Sequence, residues 1–187
     1  MTEKESVGLM FSGGVDSVVC LSQLVKQGVT PKIFLFQTWK MKQSHVDQIK
    51  RNARRLSPKS QIYVYKPRTI DYIATWEKTA LDKDVYRVRL TEYRDGKEFY
   101  PLRLVDRLVI GYVDHQPKGR PANGELGRAQ PEFIKHCTDH KYPILFPLIG
   151  KSTREVDELF NLLPETVKKD TVSSTRAYKF GGAYLND

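Results

Sequence analysis

The chain has 187 residues and is 40% hydrophobic, enough to bury a core, and one domain over 1–187 is the expectation. Its 31 basic and 22 acidic residues leave a net charge of +9, a balance that favours polyanions, nucleotides and nucleic acids among them. A membrane-spanning class is excluded, because no apolar stretch approaches the roughly 18 residues of a span. The polar start, Met1 to Glu5, lacks the apolar core of a signal peptide. Cys20 and Cys137 form no metal pattern or disulfide framework, so a reducing cytoplasm is the expected setting.

The first element is a buried strand. An apolar run from Val7 to Phe11 stops at Ser12-Gly13-Gly14, and a helical pattern begins at once, Val15 to Gln27. A glycine turn between strand and helix aims backbone N–H groups at one point, and the helix dipole makes that point attractive to anions. Ser12 and Ser17 add hydroxyls, and Asp16 adds a carboxylate able to hold Mg²⁺ beside a phosphate. A tight turn with no ligand is the plainer reading. The loop is not the kinase-type phosphate loop, since no Lys follows the glycines, and it lacks the G-x-G-x-x-G dinucleotide fingerprint. Gly28 and Pro31 end the helix, and Cys20 on its apolar side reads as core.

Lys32 to Trp39 is a near-continuous apolar run, as suits a parallel strand buried on both faces. Ser44 is placed to cap the next helix, with Asp47 three residues on. Val46, Ile49, Ala53 and Leu56 form its buried stripe; Lys50, Arg51, Arg54 and Arg55 form the other side, either solvated or facing nucleic acid. Gln61 to Lys66 is a third strand, and Thr69 to Leu81 a third helix carrying Trp76 as core or as a stacking ring. The β-α-β-α-β order implies a parallel sheet with right-handed crossovers.

Residues 85–104 break this rhythm. Alternation around Tyr86 to Leu90, a turn at Asp95-Gly96 and extended character at Phe99-Tyr100 read as an inserted hairpin. Its arginines and tyrosines make it a surface for a nucleobase or single strand, or a decorated exposed hairpin. Arg107 to Asp114 is the fourth strand, ending in Gly111 and Asp114, where open parallel sheets bind ligands. Residues 115–130, rich in Gly, Pro and charge, read as a mobile loop. Pro131 opens a helix on which His136 and His140 lie four apart, too few ligands for a metal centre. Tyr142 to Ile149 is a final strand, and Ser152 to Glu155 has the form of a capping box. Lys151, at a strand end and a helix start, is either a cation serving phosphate or a plain surface Lys. The fold class expected is α/β, a doubly wound, mostly parallel five-stranded sheet with helices on both faces, plus the inserted hairpin.

Ser-Gly-Gly-x-Asp-Ser behind a buried strand resembles the signature of the PP-loop ATP pyrophosphatase superfamily. Three later segments resemble its 7-cyano-7-deazaguanine synthase branch, of queuosine biosynthesis. They are Ile110-Gly111 through Asp114, Pro131-Glu132-Phe133, and Pro147-Leu148 with Lys151 and Glu155. The resemblance implies an adenine nucleotide alpha hydrolase-like fold and an AMP-forming ligase using ATP and Mg²⁺. Ser12, Gly13, Gly14, Val15, Asp16 and Ser17 would hold the phosphates, with Phe36, Gln37 and Gly111 completing the nucleotide site. Asp16 would position Mg²⁺, Lys151 and Arg176 would offset charge on departing pyrophosphate, and Asp114, Arg128 and Glu132 would face a deazapurine-type substrate. The branch's four zinc cysteines have no counterpart here, since no Cys follows Cys137, so no zinc site is expected. Two alternatives stay open, a tRNA-modifying adenylating enzyme and a nucleotide-binding accessory protein without catalysis. Oligomeric state is left open.

Overall fold

The computed structural model of the chain describes residues 5–37, 41–65, 104–111, 134–135, 138–139, 141 and 143–172. The apolar run after Ser6 forms β1 (Val7–Met10), which leads through the glycine turn into α1 (Val15–Lys26). Next come β2 (Lys32–Phe36), α2 (Gln43–Leu56) and β3 (Ile62–Tyr65). They are followed by β4 (Arg107–Ile110), β5 (Ile144–Leu145), α3 (Thr153–Asn161) and α4 (Glu165–Asp170). The strands form one sheet in the order β3-β2-β1-β4-β5, parallel at every pairing. From β1 the chain steps one way to β2 and β3, while β4 and β5 lie on the other side. A reversal of direction of this kind, here at β1, is where open parallel sheets leave a crevice beyond the carboxyl ends of their strands.

Period-two alternation along the strands sorts their side chains between two buried faces. Leu9, Ile33, Leu35 and Val109 join Val18, Leu21, Val46 and Ile49 of the first two helices in one apolar cluster. Each such side chain contributes about 1.5–3 kcal/mol on burial. On this face α1 packs against α2 and α3, and α2 packs against α4. The opposite face, with Phe34, Leu108 and Ile110, is buried as well, and the rings of Phe34 and Tyr63 stack at 5.3 Å. Gly8 lies among them because a Cβ there would come within 2.7 Å of the Phe34 ring.

The helix ends follow local chemistry. At the end of α1 the Gly28 N–H donates to the Val25 carbonyl and the Val29 N–H to the Leu24 carbonyl, with Gly28 at φ +76°. This is a Schellman stop, which needs a residue at ease in the left-handed region. α3 opens on the expected capping box: Ser152 Oγ accepts from the Glu155 N–H at 3.2 Å, and Glu155 Oε2 accepts from the Ser152 N–H at 2.7 Å. At the amino ends of β1 and β4, Asp106 Oδ2 accepts from both the N–H and the hydroxyl of Ser6 at 2.7 Å.

Several expectations need correction. Ser44 does not cap α2; the helix starts at Gln43, on Lys42 with no side-chain cap. Asp47 Oδ1 instead accepts from Gln43 Nε2 at 2.9 Å, an i,i+4 contact that carries the helix back past Ser44. Arg55 is exposed with Arg51 and Arg54 as expected, but its guanidinium also donates to the Thr166 carbonyl at 2.8 Å and pairs with Asp170, tying α2 to α4. The strands are shorter than their apolar runs. β5 keeps Ile144–Leu145 alone, because Pro143 has no N–H for the ladder and Pro147 to Gly150 form a turn. The expected helix over 69–81, the loop over 115–130, the helix start at Pro131 and, but for its last residue, the hairpin over 85–104 lie outside the described residues.

Two predictions follow from this packing. Gly8→Ala forces the Phe34 ring, Val105 or Leu108 to move and lowers stability by about 1–3 kcal/mol in urea denaturation. The Glu155 carboxyl is held below its ordinary range by the Ser152 hydroxyl and N–H, so its contribution is complete above the ordinary carboxylate pKa and is lost as pH falls through its lowered value. Melting curves across the acid range are therefore expected to show a smaller acid loss in Glu155→Gln than in the parent.

Candidate functional site

The loop leaves β1 in a tight glycine turn. Phe11 still follows the sheet, its N–H donating to the Phe34 carbonyl at 2.9 Å. Gly13 then turns the chain at φ +78°, and a Cβ there would lie 2.7 Å from Ile49 Cγ1 of α2. Handedness and space both require glycine. Gly14 is the N-cap of α1, extended at φ −77° and ψ 166°, with no side chain to cap the first turn.

The loop's carbonyls are tied back into the protein. The Gly13 carbonyl accepts from the Val172 N–H at 2.9 Å, in a parallel bridge between Gly14 and Val172. The Gly14 carbonyl accepts from the Val18 N–H at 3.0 Å and the Ser17 hydroxyl at 2.9 Å. Ser12 Oγ stands 3.3 Å from Ser17 Oγ and accepts from the Gly14 N–H at 3.4 Å. A helix's first turn of N–H groups has no intrahelical acceptor. With its carbonyls occupied and no side-chain cap, the start of α1 offers donors and a positive dipole end.

The structure brings Gly111 to the same place. A Cβ on Gly111, just past β4, would lie 3.1 Å from the Asp16 carbonyl carbon and 3.2 Å from the Ser17 nitrogen. Gly111 therefore lets the end of β4 abut the start of α1. Asp16 is half-buried in the first turn, and its charge adds to burial in pushing the Cys20 thiol up to about 12. Cys20 thus stays a neutral core thiol, as its place in the apolar helix suggested.

Phe36 and Gln37 end the neighbouring strand, and Phe36 pairs in register with Tyr65. Gln37 Nε2 donates to the Met41 carbonyl at 3.4 Å, while its Oε1 is buried with no partner among the described residues. A buried acceptor without a donor is costly, so it marks a place where a ligand donor would be satisfied. Lys151 sits in its own turn, its N–H donating to the Leu148 carbonyl at 3.2 Å, and its charge helps lower the Glu155 pKa. Arg176, Asp114, Arg128 and Glu132 lie outside the described residues.

Two contributors were missed in the sequence. Val172 shows no motif, and its role comes from an arrangement of α4 that no local pattern encodes. Asn52 did leave a signal, a polar residue three places beyond Ile49 and next to Ala53 in the apolar stripe of α2. It is fully buried, and its Nδ2 donates to Thr171 Oγ1 at 3.1 Å.

No family model matches this sequence, and no curated protein matches it. Among solved structures, a predicted subunit of tRNA methyltransferase from Methanocaldococcus jannaschii aligns over 84% of this chain and 75% of its own, at 14% identity and a TM-score of 0.50. An NMN synthetase from Francisella tularensis aligns over 91% of this chain and 83% of its own, at 12% identity. Its TM-score of 0.36 is too low to bear on fold or function. The first likeness bears on fold alone. The chain shares with that subunit a parallel α/β arrangement. Among the described residues no helix is long and apolar enough to cross a membrane.

Adding a methyl group at the β4–α1 contact tests this geometry. Gly111→Ala presses on backbone rather than on a yielding side chain, and a loss of about 1–3 kcal/mol is expected in chemical denaturation.

Proposed function

We propose that the chain binds ATP on Ser12 to Ser17 and cleaves it to AMP and pyrophosphate by adenylating an acceptor. The observation that carries this reading is the uncapped start of α1 at the sheet's switch point, with the Gly13 and Gly14 carbonyls tied away from the crevice. Backbone N–H groups and the Ser12 and Ser17 hydroxyls would take the phosphates. The adenine would lie at the end of β2, where Gln37 Oε1, buried without a partner among the described residues, would accept from its exocyclic amine. That pairing favours adenine over guanine, whose corresponding oxygen would face another acceptor.

Mg²⁺ fits the donor set, since it is commonly held by one or two carboxylates together with substrate phosphates, and Asp16 is the carboxylate in the first turn of α1. The ion would offset charge on the phosphates. Lys151 and Arg176 would stabilise charge developing on pyrophosphate, the kind of interaction that contributes most to transition-state stabilisation.

In the first step an acceptor oxygen attacks the α-phosphorus. A P–O bond forms, the bond to the β-phosphate oxygen breaks, and pyrophosphate leaves. With a carboxylate acceptor the product is an acyl-adenylate, which ammonia converts to an amide with loss of AMP and a proton. With an amide acceptor, adenylation of its oxygen followed by loss of AMP and protons gives a nitrile. The acceptor we favour is a 7-deazaguanine-type carboxylate or amide, facing Asp114, Arg128 and Glu132, a choice resting on the sequence resemblance. A tRNA acceptor is the second reading, favoured by the exposed Arg51 and Arg54 on α2.

Radiolabelled ATP with Mg²⁺ is expected to give AMP and pyrophosphate in the presence of 7-carboxy-7-deazaguanine. Release only with tRNA would move the acceptor to the second reading, and ADP as sole nucleotide product would overturn both. In the same assay Asp16→Ala is expected to lower turnover about a hundredfold or more while the melting curve stays cooperative.

A further inference from the structure

The stripe of α2 that faces α4 does more than pack. Gln48, Asn52 and Arg55 follow one another at helical spacing, and all three reach α4 or the residue after it, Arg55 through Thr166 and an ion pair with Asp170. Gln48 Nε2 donates to the Asp170 carbonyl at 3.1 Å, Asn52 Nδ2 to Thr171 Oγ1 at 3.1 Å, and Arg55 to the Thr166 carbonyl at 2.8 Å. Thr171 Oγ1 in turn donates to the Val167 carbonyl at 2.8 Å. The next residue, Val172, gives its N–H to the Gly13 carbonyl at 2.9 Å. One residue along α2 from Gln48, Ile49 stands against Gly13 itself.

The Asn52–Thr171 pair is costly as packing. Asn52 is 0% exposed and Thr171 4% exposed, and Asn52 Oδ1 is buried with no partner among the described residues. An apolar pair would fill this space without burying a polar atom unpaired. What the polar pair achieves is direction. It fixes Thr171 one residue before Val172, whose N–H meets the Gly13 carbonyl.

We propose that Asn52 and Thr171 are positioning residues of the anion loop, acting through the Val172 N–H on the Gly13 carbonyl. Neither touches the ligand. The inference rests on the ATP reading of the loop for its ligand, and on the hydrogen-bond chain alone for its geometry.

Thr171→Val keeps the shape and removes the hydroxyl, Thr171→Ser keeps the hydroxyl, and Val156→Ala on α3 is a destabilised control distant in sequence. ATP affinity is measured by calorimetry below the melting range of every variant, and exchange of the Gly13, Gly14 and Val172 amides by NMR. Thr171→Val is expected to raise the ATP Kd about tenfold, equivalent to about 1.4 kcal/mol, and to speed exchange of the Val172 amide. Thr171→Ser is expected to restore both to within about twofold of the parent, a change below about 0.5 kcal/mol, and Val156→Ala to leave both near the parent values. Equal effects in Thr171→Val and Val156→Ala, or none in Thr171→Val, would overturn the proposal. Should the parent protein bind no ATP, the ATP reading fails by itself. The exchange data then decide the positioning role, with fast Val172 exchange in Thr171→Val but not Thr171→Ser supporting it and unchanged exchange refuting it.

Discussion

Everything at the end of β1 depends on the residue with the least side chain. Gly13 must take a left-handed backbone and must do so with Ile49 at its back, and these two demands leave no room for a Cβ. The turn that results is tight enough to start α1 immediately at the sheet edge of the crevice. It also aims one carbonyl, that of Gly13, in a direction where a second chain segment has to meet it. Val172 does so. A turn that carries donors outward thus depends on acceptors being occupied behind it, and the occupant arrives from the far end of the described chain.

The two helices α1 and α3 show what this costs and what it permits. α3 satisfies two of the donors at its start with its own Ser152 and Glu155. α1 begins on a glycine without a side-chain cap. A glycine N-cap forgoes only about a few tenths of a kcal/mol relative to a Ser, Thr, Asn or Asp cap. Here the loss is offset by burial of nearly all of the helix's apolar side, from Val18 to Leu21. The glycine start is tolerated because the core, not the cap, holds the helix.

Charge is distributed by the same logic. Of the basic residues on α2, Arg55 is spent on Thr166 and Asp170, a partly exposed pair worth about 0–1 kcal/mol as an ion pair but useful for the direction it gives α4. Arg51 and Arg54 stay exposed. The net charge of +9 is therefore not one surface with one purpose. Part of it is structural, and part remains available to a polyanion.

Much of the architecture was legible from local pattern. Apolar runs gave five strands, the stripes of α1 and α2 gave their buried sides, Gly28 gave the stop of α1, and Ser152 with Glu155 gave the start of α3. These features depend on neighbours within a few residues, so the order of residue types encodes them directly. The Ser12-to-Ser17 loop belongs with them, since a glycine turn after a buried strand is a local event. Strand ends were less legible, because hydrophobicity continues where pairing stops, as at Pro147 after β5. Ser44 misled for a related reason, as a good capping residue yields when a neighbouring pair, Gln43 with Asp47, extends the helix. By itself, then, the sequence determined a parallel α/β chain with a glycine turn between its first strand and first helix. Only the tertiary structure decided that Gly111 would touch the start of α1 and that Asn52, Thr171 and Val172 would stand behind Gly13. Those contacts join residues far apart in the chain, and their geometry is set by how helices and strands pack, which no spacing along the sequence records.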